Sequence, residues 1–170
     1  MTPSNTPADT VLITLRRVIR AVDNHSRTLA EQHGLTVPQL MVLQEIARQT
    51  EPSLVEIAHG VSLSKATVAS ILDRLDRGGK IRRVRSPWDR RRLVVTLTEE
   101  GQTLLQAAPP LLHERFVAAY TGLKDWEQSL ILSSLQRVAN MLDASELDAA
   151  PMLAPGSVST PLTTPIRKIP

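Results

Sequence analysis

Arg90, Arg91 and Arg92 stand in a row after Asp89, and six more bases (Arg74, Arg77, Lys80, Arg82, Arg83 and Arg85) lie just upstream. Between Arg74 and Arg92 nine of the chain's twenty basic residues face two acids, Asp76 and Asp89, so this stretch carries +7 and the rest of the chain −4. Guanidinium and ammonium groups at that density attract a polyphosphate through their local field, whatever the overall charge. The chemistry on offer is recognition of phosphate and base edges, not bond making.

Other chemistries are poorly provided for. There is no cysteine, which excludes disulfides, thiolate metal sites and thiol-based peroxide sensing. His25, His33, His59 and His113 are scattered, with no His-x-x-x-His pair, and read as surface or interface residues rather than metal ligands. No nucleophile stands beside a base and no Gly-rich loop could cradle phosphate, so no catalytic residue, metal or cofactor is expected. Asp73 and Asp76 lie among arginines, where ion pairing accounts for them. Trp126, Phe116 and Tyr120 read as core or interface packing more readily than as a ligand pocket.

The elements that must position the basic stretch follow from spacing and capping. Residues 1–9 are polar with Pro3 and Pro7 and are expected to be flexible. From Thr10 to His33 apolar residues recur at Leu12, Leu15, Ile19, Val22 and Leu29, with Ser26 in the same seam, as in a helix that packs on another helix or a partner subunit. Gly34 ends it. Thr36-Val37-Pro38-Gln39 and Pro52-Ser53-Leu54-Val55-Glu56 are helix starts, and Ser64 caps a further helix. In that helix Val68, Ile71, Leu72 and Leu75 form an i, i+3, i+4, i+7 stripe. Its outward arc holds Ala66, Ser70, Asp73 and Arg77, flanked by Thr67 and Arg74.

Gly78-Gly79 stops this helix. Lys80–Arg85 and Leu93–Leu97 read as a two-stranded hairpin around a polar loop, with Leu93, Val95 and Leu97 on one side. Thr98-Glu99-Glu100 opens another helix that Pro109-Pro110 must kink or break. Asp125 and Glu127 suit the first turn of a last helix carrying Leu130, Ile131, Leu135, Val138 and Leu142. From Ala144 onward, prolines and small residues suggest a tail without stable structure. The N-terminus lacks a signal-peptide layout and no apolar run reaches membrane-spanning length, so a cytoplasmic protein without membrane contact is expected.

The result is a mainly α fold: about six helices plus one β-hairpin wing. A winged helix-turn-helix region over 35–97 is framed by dimerisation helices over 10–33 and 98–143, with a Pro-rich tail over 144–170. Three stretches carry a family resemblance: Leu63-Ser64-Lys65-Ala66-Thr67-Val68 with Ile71-Leu72-Asp73-Arg74-Leu75; Arg85-Ser86-Pro87-Trp88-Asp89-Arg90-Arg91-Arg92; and Leu97-Thr98-Glu99-Glu100-Gly101. Together they resemble the MarR family of bacterial transcription regulators. The resemblance implies a homodimer built from the terminal helices (Leu12, Leu15, Ile19, Val22, Leu130, Leu135, Val138, Leu142). It also implies a pseudo-palindromic DNA operator and a small-molecule effector in the crevice between dimerisation helices and winged helix. A narrower likeness, in Leu15–Asp23, His25–Arg27 and Ala107–Leu112, is to MarR-type regulators of ectoine synthesis operons, which would imply an osmotic stress response.

The residues suggest the reading mechanism. A helix enters the major groove N-terminus first, so Ser64, Lys65, Ala66, Thr67 and Ser70 are expected to meet base edges and Ser62 and Ser64 to meet phosphates. Arg74 and Arg85 belong to the same basic surface. In the wing, Arg91 is expected to enter the minor groove, steadied by Asp89, with Arg90 and Arg92 on phosphates. Trp88 either stacks on a sugar or caps the hairpin. A sequence-tolerant architectural DNA-binding protein and a winged-helix module for protein partners are the competing readings.

Overall fold

The computed structural model describes residues 6–86, 89 and 93–147. Among them seven helices and one hairpin follow in the order α1 (Pro7–His33), α2 (Val37–Arg48), α3 (Leu54–Gly60), α4 (Lys65–Arg77), β1 (Ile81–Arg85), β2 (Leu93–Leu97), α5 (Glu99–Ala107), α6 (Leu112–Thr121) and α7 (Asp125–Met141). No helix among these residues is long and apolar enough to cross a membrane. The tail expected over 144–170 lies outside the described residues from 148 onward.

α1 starts at Pro7, within the segment expected to be flexible. The Thr6 hydroxyl accepts the Asp9 N–H at 3.1 Å and the Asp9 carboxylate accepts the Thr6 N–H at 2.9 Å. This reciprocal cap, with Pro7 preset for the first helical position, lets the helix begin before its apolar pattern does. The Thr6 hydroxyl, which also donates to the Asp9 carboxylate at 2.7 Å, and then the Thr6 N–H hold the Asp9 carboxyl below its ordinary range. Gly34 ends α1 at φ 64°, a left-handed conformation that glycine adopts without steric cost.

The core lies where α2, α3, α4 and the hairpin meet. Leu40, Leu43 and Ile46 of α2, Ile57 of α3 and Val68, Ile71, Leu72 and Leu75 of α4 are buried together with Ile81 and Val95. α1 adds only Leu29, and α6 and α7 bury no residue of their own. The seam expected along α1 is therefore divided: Leu29 turns into the core, while Leu12 and Ile19 stay exposed and Leu15 and Val22 half-buried.

β1 and β2 pair antiparallel, Ile81 opposite Leu97 and Arg85 opposite Leu93. The Val95 N–H donates to the Pro52 carbonyl at 2.9 Å, pinning the hairpin to the link between α2 and α3. The one-sided pattern expected for Leu93, Val95 and Leu97 fails at Leu93, which is exposed, whereas Val94 and Val95 are both buried. α2, α3 and α5 pack on β2, so it is covered on both sides near its middle, and Leu93 lies beyond that cover at the loop end.

The root of the wing is closed by Thr98 and Gly101. The Thr98 hydroxyl donates to the Gly79 carbonyl at 2.6 Å and accepts the Gly101 N–H at 3.0 Å, while the Thr98 N–H donates to the Lys80 carbonyl at 3.1 Å. A Cβ at Gly101 would stand 1.9 Å from the Lys80 carbonyl oxygen and 2.9 Å from its carbon, so the Leu-Thr-x-x-Gly exit records a contact that only glycine permits. Past Ala107, Pro109-Pro110 separates α5 from α6, and buried Leu111 fills the break. Gly101→Ala must displace backbone and should cost about 1–3 kcal/mol, lowering the melting temperature by about 2–4 °C per kcal/mol. Thermal unfolding followed by circular dichroism checks this; an unchanged midpoint would show that α5 can slide off β1.

Candidate nucleic-acid interface

α4 presents one face because it buries the other. Its stripe Val68, Ile71, Leu72 and Leu75 is buried throughout, while Lys65, Ala66, Ser70, Asp73, Arg74 and Arg77 are exposed and Thr67 is half-buried. The exposed set is the arc expected from spacing. Ser64 caps the helix: its hydroxyl accepts the Thr67 N–H at 3.1 Å and lies 2.8 Å from the Thr67 hydroxyl. Both hydroxyls are thus engaged at the cap, leaving Lys65 and Ala66 with their first-turn N–H groups at the positive end of the helix. Ser62 precedes the cap, exposed and at φ 53°, the bend that turns α3 into α4.

The turn between α3 and α4 rests on a buried carboxylate that the sequence did not announce. Glu45 on α2 is 7% exposed. Its two oxygens accept Arg48 Nε at 2.9 Å and Arg48 Nη2 at 2.7 Å, and Gln49 Nε2 donates to the same carboxylate. A Cβ on Gly60 would lie 1.9 Å from Glu45 Oε1, so glycine at the end of α3 makes room for this side chain. The clue available beforehand was position: Glu45 falls beside Val42 and Ile46 on the inward face of α2. The Arg48 hydrogen bonds, then Gln49 and the charges of Arg48 and His59, hold the Glu45 carboxyl below its ordinary range against the opposing effect of burial.

Among the described members of the basic cluster, Lys80 and Arg83 form ion pairs inside the fold. Lys80 pairs with Glu100 of α5, and Arg83 of β1 pairs with Asp73 and approaches Asp76 of α4, its Nε 3.7 Å from the Asp76 carboxylate. Arg77 Nε donates to the Asp73 carbonyl at 3.1 Å. Arg74, Arg82 and Arg85 are exposed, and Asp89 is exposed in the loop. Trp88, Arg90, Arg91 and Arg92 lie outside the described residues. α4 and the turn that leads into it therefore carry Ser62, Ser64, Lys65, Ala66, Thr67, Ser70 and Arg74, and β1 and the loop after it carry Arg85 and Asp89.

The terminal helices offer a different surface. Every exposed large apolar side chain among the described residues, apart from Val55, Leu93 and Leu147, lies on α1, α6 or α7 or at Leu142 just past α7. Leu130, Leu135 and Leu142 are exposed and Val138 half-buried. Phe116 and Tyr120 stack at 5.5 Å, and the Tyr120 hydroxyl donates to the Gln128 carbonyl at 3.0 Å, tying α6 to α7. Gln32 and His33 at the end of α1, Lys80, and Glu99, Glu100, Thr103, Leu104 and Ala107 of α5 line an open cleft of about 650 Å³. The aromatic residues are not among its walls.

A helix-turn-helix with its second helix turned outward and a basic hairpin beside it define a winged helix-turn-helix DNA-binding protein. The model of the MarR family matches residues 35–93. The chain is 34% identical over 126 residues to transcriptional regulator HosA of Escherichia coli O111:H-, a match covering 67% of this chain and 91% of HosA. It is 28% identical to Bordetella bronchiseptica BpsR, solved to explain how 6-hydroxynicotinic acid regulates the DNA binding of that protein; the TM-score is 0.51, with 76% of this chain and 98% of BpsR covered. The fold is shared as well with S. aureus MepR in its DNA complex, at 20% identity and a TM-score of 0.55 over 83% of this chain and 99% of that one. The chain belongs to the MarR family and is a DNA-binding transcription regulator. These relatives lend nothing to the narrower likeness with ectoine-operon regulators.

Two outcomes follow from this surface. Lys65→Ala should reduce the preference for a specific site over random duplex if the ammonium reads a base; equal loss on both, with a shallower salt slope, would assign it to phosphate. For Glu45→Gln the sign is set by the lowered carboxyl. A group held below its unfolded value stabilises the fold above that value and loses the contribution as pH falls through the folded one. The variant should therefore be less stable than the parent at neutral pH. The gap should close as pH drops below the ordinary glutamate value of 4.5; a gap constant with pH in urea titrations would contradict the assignment.

Proposed function

We propose that the protein acts as a homodimeric repressor, released by a small-molecule effector, that reads a pseudo-palindromic operator with two α4 helices and two wings. The observation that carries this reading is the partition of exposed surface: polar and cationic on α4 and β1, apolar on the terminal helices. α7 exposes Leu132 and Leu135, with Leu142 just past its end, on one side and Trp126, Leu130 and Met141 on nearly the opposite one. A helix apolar on two sides needs cover on both, and within one chain α7 buries nothing. Interleaving α1 and α7 of two chains would supply that cover.

In the operator complex Lys65, Ala66, Thr67 and Ser70 meet base edges. Ser62 and Ser64 sit against phosphate at the positive end of α4, and Arg74 and Arg85 flank them. Arg91 enters the minor groove beside Asp89, with Arg90 and Arg92 on the backbone and Trp88 at the tip. A dimer would hold two such heads about one helical repeat, roughly 10 base pairs, apart. BpsR responds to a small aromatic acid, and the cleft beside Lys80 and Glu100 would bring an effector into contact with the dimer helices and the root of the wing together.

Footprinting on the intergenic DNA next to the gene, with sedimentation of the same preparations, tests the proposal. The parent should sediment as a dimer and protect two half-sites in adjacent turns. Leu135→Glu should sediment as a monomer of unchanged helicity and lose the footprint. A monomeric parent, or binding without a discrete footprint at moderate salt, would reject the proposal.

A further inference from the structure

Resting on that operator-reading function, we infer that Arg83 is a positioning residue: it sets the wing against the recognition helix and makes no contact with DNA. Arg82 and Arg83 are neighbours on β1 with opposite fates. Arg83 shares a strand face with buried Ile81, and its side chain is only 24% exposed; Arg82 faces away and is exposed. The Arg83 guanidinium reaches two carboxylates, Asp73 through Nη2 and Asp76 through Nε at 3.7 Å. These stand three residues apart and so one above the other on α4. Nε is itself withdrawn from solvent, with the Asp76 carboxylate as the charge nearest to it in this contact. Opposite Val95 in the register, Arg83 holds the hairpin at its middle. Among the described residues no other ion pair joins α4 to the hairpin.

Asp73 sharpens the inference. It stands on the exposed arc with Ala66, Ser70 and Arg77, facing where DNA phosphates would pass, and a carboxylate there opposes binding electrostatically. Its presence is accounted for if it anchors Arg83. Two accounts of these acids then predict opposite signs. As anchors, their removal lets the wing swing and weakens operator binding, although the surface gains two positive units. As mere neighbours of a phosphate-binding arginine, their removal frees Arg83 and tightens binding to any duplex.

The test is the double variant Asp73→Asn with Asp76→Asn, measured by fluorescence anisotropy on the footprinted operator and on a random duplex of equal length. Operator affinity should fall about tenfold, the scale of a broken coupled contact, while random-duplex affinity rises, so the ratio collapses. In an Arg83→Met background the same two changes should no longer weaken operator binding. Should the double variant unfold at the assay temperature, Arg83→Lys, which keeps the charge but not the fork that spans both acids, must lower the same ratio. An unchanged ratio, or tighter binding to both duplexes, overturns the inference and leaves the proposed function standing. A parent protein without operator preference removes both.

Discussion

The burial of one face of α4 is the constraint on which the rest depends. Val68, Ile71, Leu72 and Leu75 are almost wholly withdrawn from solvent, and each such side chain contributes about 1.5–3 kcal/mol relative to exposure. That sum is comparable with the whole stability of an ordinary domain, so the rotational setting of the helix is not free to change. A helix so fixed must show its remaining face to solvent, and on this chain that face carries Lys65, Ala66, Ser70, Arg74 and Arg77. Function is here a by-product of packing: the groove-reading surface is whatever the core does not use. The Ser64 cap and the bend at Ser62 then decide where the helix begins, hence which residues reach a groove first.

The wing is located by contacts of a different kind. Few apolar groups fix a two-stranded hairpin, and such a pair is marginal alone. This one is held by three contacts. At its root the Lys80 carbonyl receives the Thr98 N–H and lies under Gly101; near its centre Val95 is bonded to Pro52; alongside, Arg83 meets α4. The cost is two positive charges, Lys80 and Arg83, neutralised within the protein. The +7 of the basic stretch therefore overstates the field at a phosphate, and what remains sits on exposed groups such as Arg74, Arg77 and Arg82.

Periodicity made most of this legible in advance. The α4 stripe, the helix starts at Thr36, Ser53 and Ser64, and the break at Pro109-Pro110 follow from local rules, because each depends on residues within one or two turns of one another. Three features were hidden for a common reason. Glu45 under Gly60, Lys80 under Gly101 and Arg83 between two aspartates are contacts across elements, and a single sequence gives residue types without saying which element lies above which. Glycine marked two of these three places, where a missing side chain makes room for a neighbour. The early start of α1 differs: Thr6 and Asp9 were readable as a cap but sat outside the apolar pattern. Leu93 misled because alternation describes a strand with one covered face, whereas β2 is covered twice.

The same surface accounting bears on how the two ends of the molecule communicate. α1 reaches the core through Leu29 alone among its fully buried residues, and its last residues, Gln32 and His33, line the cleft shared with Lys80 and α5. The apolar helices thus meet the winged unit at Leu29 and at Leu111 before α6, with Leu104, Leu105 and Ala108 packed alongside. Within the proposed dimer the apolar faces would fix α1 and α7 of both chains to one another, leaving movement of each winged unit to this joint. A swing of a few degrees there moves α4 by an amount set by its distance from the joint. Two heads that must meet one helical repeat of DNA tolerate little such movement. In the proposed function an effector in the cleft would act on the spacing of the heads, and the Lys80–Glu100 pair is shared by cleft wall and wing root.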